Sequence, residues 1–234
     1  MDLNIIDIII LVFVLFYGLL GFKRGVFKQT IIFVGTILVI LISYKFKNVI
    51  GDFLALNLPF LKFDNILNGA ESLNIIFYQA IGFLLVSVVL TVIFKVVVAI
   101  TGIFEKILRF TIILGIPSKI LGLIVGLIEG YIITFAVLFV LYQPIFNLNM
   151  LNDSKYASTI LNKSPILSKM AKNTLDTVEE IFELTDLNDA DTLNLEVIDI
   201  ILEKKVASIE LVDKLVEKDK LNIPNIDTVL DKYR

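Results

Sequence analysis

The chain contains no cysteine, no histidine and no tryptophan. Without cysteine and histidine it cannot form a thiolate or imidazole metal site, a cysteine nucleophile, a disulfide bond or a catalytic triad built on histidine. Charged residues are also scarce, at 19% against 57% hydrophobic residues. Because an ordinary soluble domain is about 45–50% apolar, the composition predicts that most of this chain lies in lipid.

Signatures of enzymatic chemistry are missing as well. No glycine-rich phosphate-binding loop precedes a basic residue in the required form, and no pair of carboxylates stands out on a plausible soluble cleft. We therefore expect the protein not to be an enzyme, with no catalytic residue, no cofactor and no metal ion.

The net charge of −3 hides an asymmetry between the two parts of the chain. Residues 1–150 carry 10 Lys and Arg against 7 Asp and Glu, whereas residues 151–234 carry 11 against 17. A basic, apolar part joined to an acidic, polar part predicts two domains, which we place at residues 1–145 and 146–234. The acidic part argues against nucleic acid as a partner.

Long hydrophobic runs are the feature that the chain has in abundance. Four runs are long enough to cross roughly 30 Å of hydrocarbon as helices at 1.5 Å per residue. They cover about residues 5–20, 26–44, 75–100 and 120–142. The predicted fold class is all-α: a four-span transmembrane helical bundle followed by a polar, helical C-terminal extension. Between the second and third runs, segment 45–74 contains Pro59 and several Asn, and we interpret it as an external loop.

Basic residues between the runs predict the orientation. Lys23 and Arg24 follow the first run, and three basic residues against a single acidic one follow the third. Lysine and arginine accumulate on the cytoplasmic side, so both termini are expected outside the cytoplasm. The first run is expected to be a retained span, because Asp2 and Asp7 stand where a cleavable signal has a basic region.

Four charged residues fall within the predicted spans. Asp7 and Lys28 lie two residues inside a span boundary, where Asp7 could face headgroups or water, whereas Lys95 and Glu129 lie deeper. Glu129 lies about ten residues into the fourth span, and an ionised carboxylate at mid-membrane costs roughly 2.5–3.5 kcal/mol on insertion scales. It could belong to an ion or proton relay, or it could be protonated or hydrogen-bonded against neighbouring helices. Lys95 shares a helix face with Ser87 and Thr91, so it could line a polar seam or extend to the membrane interface.

Three glycines surround Glu129 at four-residue spacing: Gly122, Gly126 and Gly130. Small residues along one helix face let another helix approach closely. We favour this packing role. The same stripe would also suit a homo-oligomer.

The acidic tail contains a 14-residue repeat in three copies, at residues 194–204, 208–218 and 222–232. Each copy begins with Asn194, Ser208 or Asn222, which are good N-cap residues. The apolar positions of the copies correspond: 198, 201 and 202, then 212, 215 and 216, then 226, 229 and 230. The pattern predicts three short helices that stack on each other or on a partner protein, although the first two copies could form one longer helix.

The membrane part resembles the colicin V production protein family. The similarity covers about residues 1–145, and it is carried by Ile6-Asp7-Ile8, by the turn from Gly21 to Lys28 and by the run from Lys119 to Gly130. The positions that match the family pattern are Asp7, Arg24, Gly25, Gly122, Gly126 and Gly130. The chain departs from the pattern at Glu129, where the family usually has a basic residue, and at Ser118-Lys119, where it often has an Asp-Arg pair.

The resemblance implies a bacterial inner-membrane protein with four spans, linked to toxin production or to cell-envelope homeostasis, with no settled enzymatic mechanism. Three hypotheses follow. The protein is an accessory protein whose tail is an interaction module for a partner protein, a small transporter or channel subunit that uses Glu129, or an anchor for the tail. Rescue of a deletion by an unrelated anchor carrying residues 151–234 would favour the third. The lipid bilayer is an expected partner in all three.

Overall fold

The computed structural model describes residues 4–62, 70–101, 103–146, 151, 153–184 and 189–234, with only the backbone at 101, 103–114 and 145. Every regular element in these ranges is helical. The elements are α1 (Ile5–Arg24), α2 (Val26–Asn57), α3 (Leu73–Thr101), α4 (Ile103–Leu141), a 3₁₀ turn (Pro144–Phe146), α5 (Lys155–Lys163), α6 (Leu167–Glu183), α7 (Ala190–Glu203), α8 (Ile209–Glu217) and α9 (Ile226–Leu230).

Four helical segments in the described residues are long and apolar enough to cross a membrane. They are α1, α2, the Leu73–Ile100 part of α3 and the Gly115–Leu141 part of α4, with mean hydropathies between 2.1 and 2.9. The predicted fold class is therefore confirmed, because four apolar helices are followed by shorter helices with polar outer faces.

α2 is much longer than its predicted span. It has 32 residues, which corresponds to about 48 Å at 1.5 Å per residue. The prediction of a loop from residue 45 is thus wrong for residues 45–57, and residues 63–69 lie outside the described residues. The backbone of Gly51 packs against α3, where a Cβ atom on Gly51 would lie 2.6 Å from the Cα of Gln79.

α4 is broken at Gly115, whose φ of 49° and ψ of −127° are not helical. A positive φ favours glycine because it has no Cβ. Pro117 then falls in the first turn of the second half of α4, where the missing amide hydrogen has no helical partner to lose. The sequence of segment 101–114 places Glu105, Lys106 and Arg109 on one helical face and so predicts an amphipathic helix, but its side chains lie outside the described residues.

The chain forms two compact units. The first comprises Met1–Lys45, Leu85–Val140 and Leu148–Ser164, and the second comprises Phe46–Leu84, Leu141–Asn147 and Pro165–Arg234. α2 and α3 each contribute residues to both units. The division predicted at residue 145 is a boundary between a part of the chain in lipid and a part in water. The two compact units are a different kind of division, so this boundary stays a prediction.

The core of the second unit combines the end of α2, the start of α3 and the tail helices. Eight of the nine repeat positions predicted to be apolar and inward-facing are buried there, and Val216 is partly buried against them. The prediction of stacked helices is confirmed. Helices this short are only marginally stable in isolation, so they are stabilised mainly by the burial of their apolar stripes in this core.

The repeats form separate helices because α7 and α8 end in the same way. Lys205 and Asp219, 14 residues apart, both have a φ of 56°. The amide of Val206 donates to the Ile201 carbonyl at 2.9 Å, and the amide of Lys220 donates to the Leu215 carbonyl at 2.9 Å. These contacts define two Schellman motifs, so the alternative of one long helix is wrong.

Only one of the three predicted N-caps is confirmed. The side chain of Ser208 accepts from the amide of Leu211 at 3.3 Å. Asn194 lies inside α7, which begins earlier with Asp189 as its cap. Asn222 precedes Pro224, which disfavours a helical residue before it, and α9 starts only after Asn225.

Candidate functional site

Glu129 is a buried charged residue in the first unit, 2% exposed. Gln29 on α2 donates from Nε2 to one carboxylate oxygen of Glu129. Thr36, two turns further along α2, donates from Oγ1 to the other oxygen at 2.9 Å. Both oxygens of Glu129 are therefore hydrogen-bonded, which offsets the cost of burying a carboxylate.

Arg24 connects to this carboxylate through Gln29. Its Nη1 donates to the Oε1 atom of Gln29 at 3.2 Å. The side-chain amide of Gln29 thus has a guanidinium at its oxygen and a carboxylate at its nitrogen, an arrangement in which each hydrogen bond strengthens the other. We call Arg24, Gln29, Thr36 and Glu129 the Glu129 network.

Sequence reasoning identified Arg24 and Glu129 separately and missed their two partners. Gln29 and Thr36 are seven residues apart in a predominantly apolar run, which places them on one face of α2. That spacing is the signal that could have found them.

The turn between α1 and α2 is held by α4. Gly25 has a φ of 76° and donates its amide to the Gly21 carbonyl at 2.9 Å. The amide of Val26, at the start of α2, donates to the Oγ atom of Ser118 at 3.2 Å. Ser118 is fully buried, so it satisfies one of the free amides of the first turn of α2.

α1 and α4 meet at a glycine seam formed by Gly21, Gly122, Gly126 and Gly130. A Cβ atom on Gly122 would lie 2.4 Å from the Gly21 carbonyl oxygen, and one on Gly126 would lie 2.4 Å from the Tyr17 carbonyl oxygen. A Cβ atom on Gly130 would lie 2.8 Å from the Cβ of Tyr17. These distances leave no room for a side chain, so the glycines have the packing role predicted for them. Gly21 is the partner that the sequence pattern did not reveal.

Asp7 holds the start of α5 instead of facing headgroups or water. It is buried, and its Oδ1 atom accepts from Ser154 Oγ at 2.6 Å and from the Tyr156 amide at 2.9 Å. Its Oδ2 atom accepts from the Asn4 amide at 3.2 Å. One carboxylate therefore caps α1 and also binds the first turn of α5.

The structure does not bring the three charged candidates together. Lys95 lies on an exposed face of α3, whereas Asp7 and Glu129 are buried in separate sets of hydrogen bonds. An exposed lysine on a membrane helix fits the interpretation that its amine extends to the interface.

The second unit contains a buried lysine that sequence reasoning treated as a loop charge. Lys47 is 4% exposed. Its Nζ atom donates to Asn48 Oδ1 at 2.8 Å and to Gln79 Oε1 at 3.0 Å. Gln79 in turn donates from Nε2 to the carbonyl of Val206 at 2.8 Å. Because Val206 belongs to the Schellman turn of α7, the first tail repeat is tied to α2 and α3 by buried polar contacts.

Two further contacts attach the tail to the same helices. Lys220 donates from Nζ to the carbonyls of Ala55 at 2.8 Å and Leu58 at 2.7 Å, which lack helical partners at the end of α2. Asn194 accepts at Oδ1 from the amide of Ser72 at 2.9 Å and from its hydroxyl at 2.8 Å. The tail is therefore packed into the second unit rather than tethered to it.

One acidic position recurs in all three repeats and is bound by residues 232–234. Lys232 pairs with Asp199 at 2.8 Å, between Nζ and Oδ2. Arg234 pairs with Asp213 at 2.8 Å and with Asp227 at 3.4 Å. Such exposed pairs are individually weak, but together they link the three repeats.

Tyr233 makes the tail sensitive to alkaline pH. Its hydroxyl donates to Asp199 Oδ1 at 2.7 Å. Burial, this hydrogen bond and the charge of Asp199 raise the pKa of Tyr233 from 10.0 to about 12. The neutral phenol therefore stabilises the folded tail below pH 10, and this contribution is lost as the pH rises through 12.

We expect the tail helices to lose protection against hydrogen exchange between pH 10 and 12, and Tyr233→Phe to remove that part of the pH dependence. The difference in tyrosinate absorbance between wild type and variant reports the pKa of Tyr233 directly. A difference curve centred at pH 10.0, the ordinary pKa of tyrosine, would contradict the raised pKa of Tyr233.

The family profile described as colicin V production protein matches residues 6–165. The uncharacterized transmembrane protein YshB of Bacillus subtilis (strain 168) is 35% identical over 179 residues, which cover 70% of this chain and 93% of the relative. No solved structure matches the chain. The family match includes the Glu129 network, the glycine seam and α5, whereas α6 to α9 lie beyond it.

Proposed function

The chain belongs to the colicin V production protein family, and from that premise we propose that it is an accessory protein of the bacterial inner membrane that supports peptide-toxin production or cell-envelope homeostasis. It is a multi-pass membrane protein. In the proposed orientation the Lys23-Arg24 turn faces the cytoplasm and both termini lie outside. We propose no catalytic step for it.

The observation that carries this proposal is the closed set of contacts in the Glu129 network. A solute pathway needs polar groups that face an open route. Here both oxygens of Glu129 are occupied by Gln29 and Thr36, and Arg24 is bound to Gln29. Such a network suits the task of holding α1, α2 and α4 in register, and this favours an accessory role over transport through Glu129.

We propose that the tail is the interaction module. Its apolar stripes are already buried within the second unit, so a partner would meet its exposed face. Four exposed glutamates recur there at repeat spacing: Glu196, Glu203, Glu210 and Glu217. A partner that presents a basic segment would complement this face.

A photo-crosslinking residue at Glu196 or at Glu210 tests this role in intact cells. We expect both positions to capture the same protein, and exposed Lys205, a basic residue in the turn that follows the first repeat copy, to serve as the control site. The double charge reversal Glu196→Lys and Glu210→Lys should abolish capture and reproduce the deletion phenotype while the protein stays in the membrane.

Two results would count against the interaction role. One is capture that is equal at the control site. The other is a charge-reversed protein that loses capture without any phenotype, because the captured protein would then be a bystander.

A further inference from the structure

α2 exposes one apolar stripe along nearly its whole length. We define the α2 stripe as the large apolar residues on this face, which are between 39% and 62% exposed. They are Phe27, Val34, Leu38, Ile42, Phe46, Val49 and Phe53. Their spacing of three, four or seven residues keeps them on one side of the helix.

The buried side of α2 is mostly small or polar. It carries Gln29, Ser43, Lys47 and Gly51, all of them buried, and Ile40 is the one large apolar residue buried with them. A helix that borders water has the opposite distribution, with apolar residues inside and polar residues outside. Apolar residues outside and polar residues inside are typical of a helix surrounded by lipid.

This inverted distribution does not stop where the second unit begins. Val49 and Phe53 are 61% and 62% exposed, and Lys47 and Gly51 are buried on the opposite side. The tail helices of the same unit show the ordinary distribution, for example in α8, where Val212 is buried and Glu210 is exposed. The two surfaces of this unit are therefore suited to different surroundings.

We propose that the α2 stripe contacts lipid as far as Phe53, so that the second unit rests on the bilayer through Phe46, Val49 and Phe53 instead of standing free in water. The occupant of this surface is the acyl-chain and interfacial region of the membrane. The stripe is continuous with the apolar face of the span itself. Exposed Lys45, beside Phe46, has the length to reach lipid phosphates from such a position.

The length of the stripe has a geometric consequence. From Phe27 to Phe53 it extends about 39 Å at 1.5 Å per residue, which exceeds the roughly 30 Å of hydrocarbon. A helix keeps such a stripe in contact with lipid by tilting, or by laying its end in the interface. The inference concerns the placement of this surface, and it does not depend on the proposed accessory role.

The absence of native cysteine makes a clean test possible. Val49→Cys and Phe53→Cys, each labelled with a bimane fluorophore, are reconstituted into vesicles of phosphatidylcholine and phosphatidylglycerol with brominated acyl chains. Val34→Cys is the lipid reference and Glu210→Cys is the aqueous reference. All four positions are exposed, so substitution should leave the fold intact, which circular dichroism verifies.

We expect bromine to quench the labels at positions 49 and 53 to an extent similar to that at 34, and several-fold more than at 210. The inference would be overturned if bromine quenched the labels at 49 and 53 no more than the aqueous reference at 210, and if iodide, a water-soluble quencher, reached them. Self-quenching between labelled copies without bromine quenching would also overturn it, because a second copy of the chain would then cover the stripe.

Discussion

Gly122→Ala is expected to lower the stability of the membrane helices by about 3 kcal/mol, the upper part of the range for overpacking. The new Cβ atom would lie 2.4 Å from the Gly21 carbonyl oxygen and 2.8 Å from the carbonyl carbon of Gly25. Both atoms belong to the backbone, so no rotamer change can relieve the clash. α1 and α4 must separate, and the contact between Ser118 and Val26 beside the seam is expected to loosen with them.

The measurement is the thermal midpoint of aggregation of the purified protein in one detergent. Val137→Ile is the matched control, since it also adds one carbon to α4 but at an exposed position. Gly21→Ala should destabilise to a similar extent. The two glycine substitutions should not add in the double variant, because they disturb the same contact. If Gly122→Ala and Val137→Ile have the same thermal midpoint, the glycine seam is not the close contact described.

Glu129→Leu is expected to cost about 3 kcal/mol, the upper part of the range for leaving a buried hydrogen-bonding group without its partner. The loss comes chiefly from Gln29 and Thr36, whose donors would stay buried without an acceptor. Glu129→Gln should cost less, because it keeps an acceptor oxygen and the shape of the side chain. Lys95→Leu, at an exposed position of another membrane helix, should have little effect.

A double-mutant cycle measures the interaction energy between Gln29 and Glu129. Gln29→Leu combined with Glu129→Leu should be more stable than the sum of the single effects by about 1–3 kcal/mol, the usual coupling for residues in contact. Additive effects would show that the hydrogen bond contributes nothing.

The same variants discriminate between an accessory protein and a transporter. We expect Glu129→Gln to retain function wherever it retains the fold. A folded, normally expressed Glu129→Gln protein that is inactive, together with solute movement by the wild-type protein in liposomes, would favour transport instead.

The features predicted from sequence are those that local pattern and composition determine. Four apolar runs suffice for four membrane helices, since the backbone must satisfy its hydrogen bonds within a helix in lipid. The repeat spacing likewise located the inward-facing positions, such as Ile198 and Val212, because helical periodicity alone selects one face. Helix ends were predicted less well, as Asn194 and Asn222 show.

Contacts between distant residues were decided only by the tertiary structure. Gln29 and Glu129 are 100 residues apart, Ser154 and Asp7 are 147 apart, and Gln79 and Val206 are 127 apart. A hydropathy pattern states which face of a helix is apolar, but not how far one helix is shifted along another, and that shift selects the partner of each buried polar group. The sequence by itself thus determined that this is a four-span helical membrane protein with a repeat-built tail. Packing alone decided that Glu129 is bound by α2, that Asp7 holds α5 and that Lys47 helps to secure the tail.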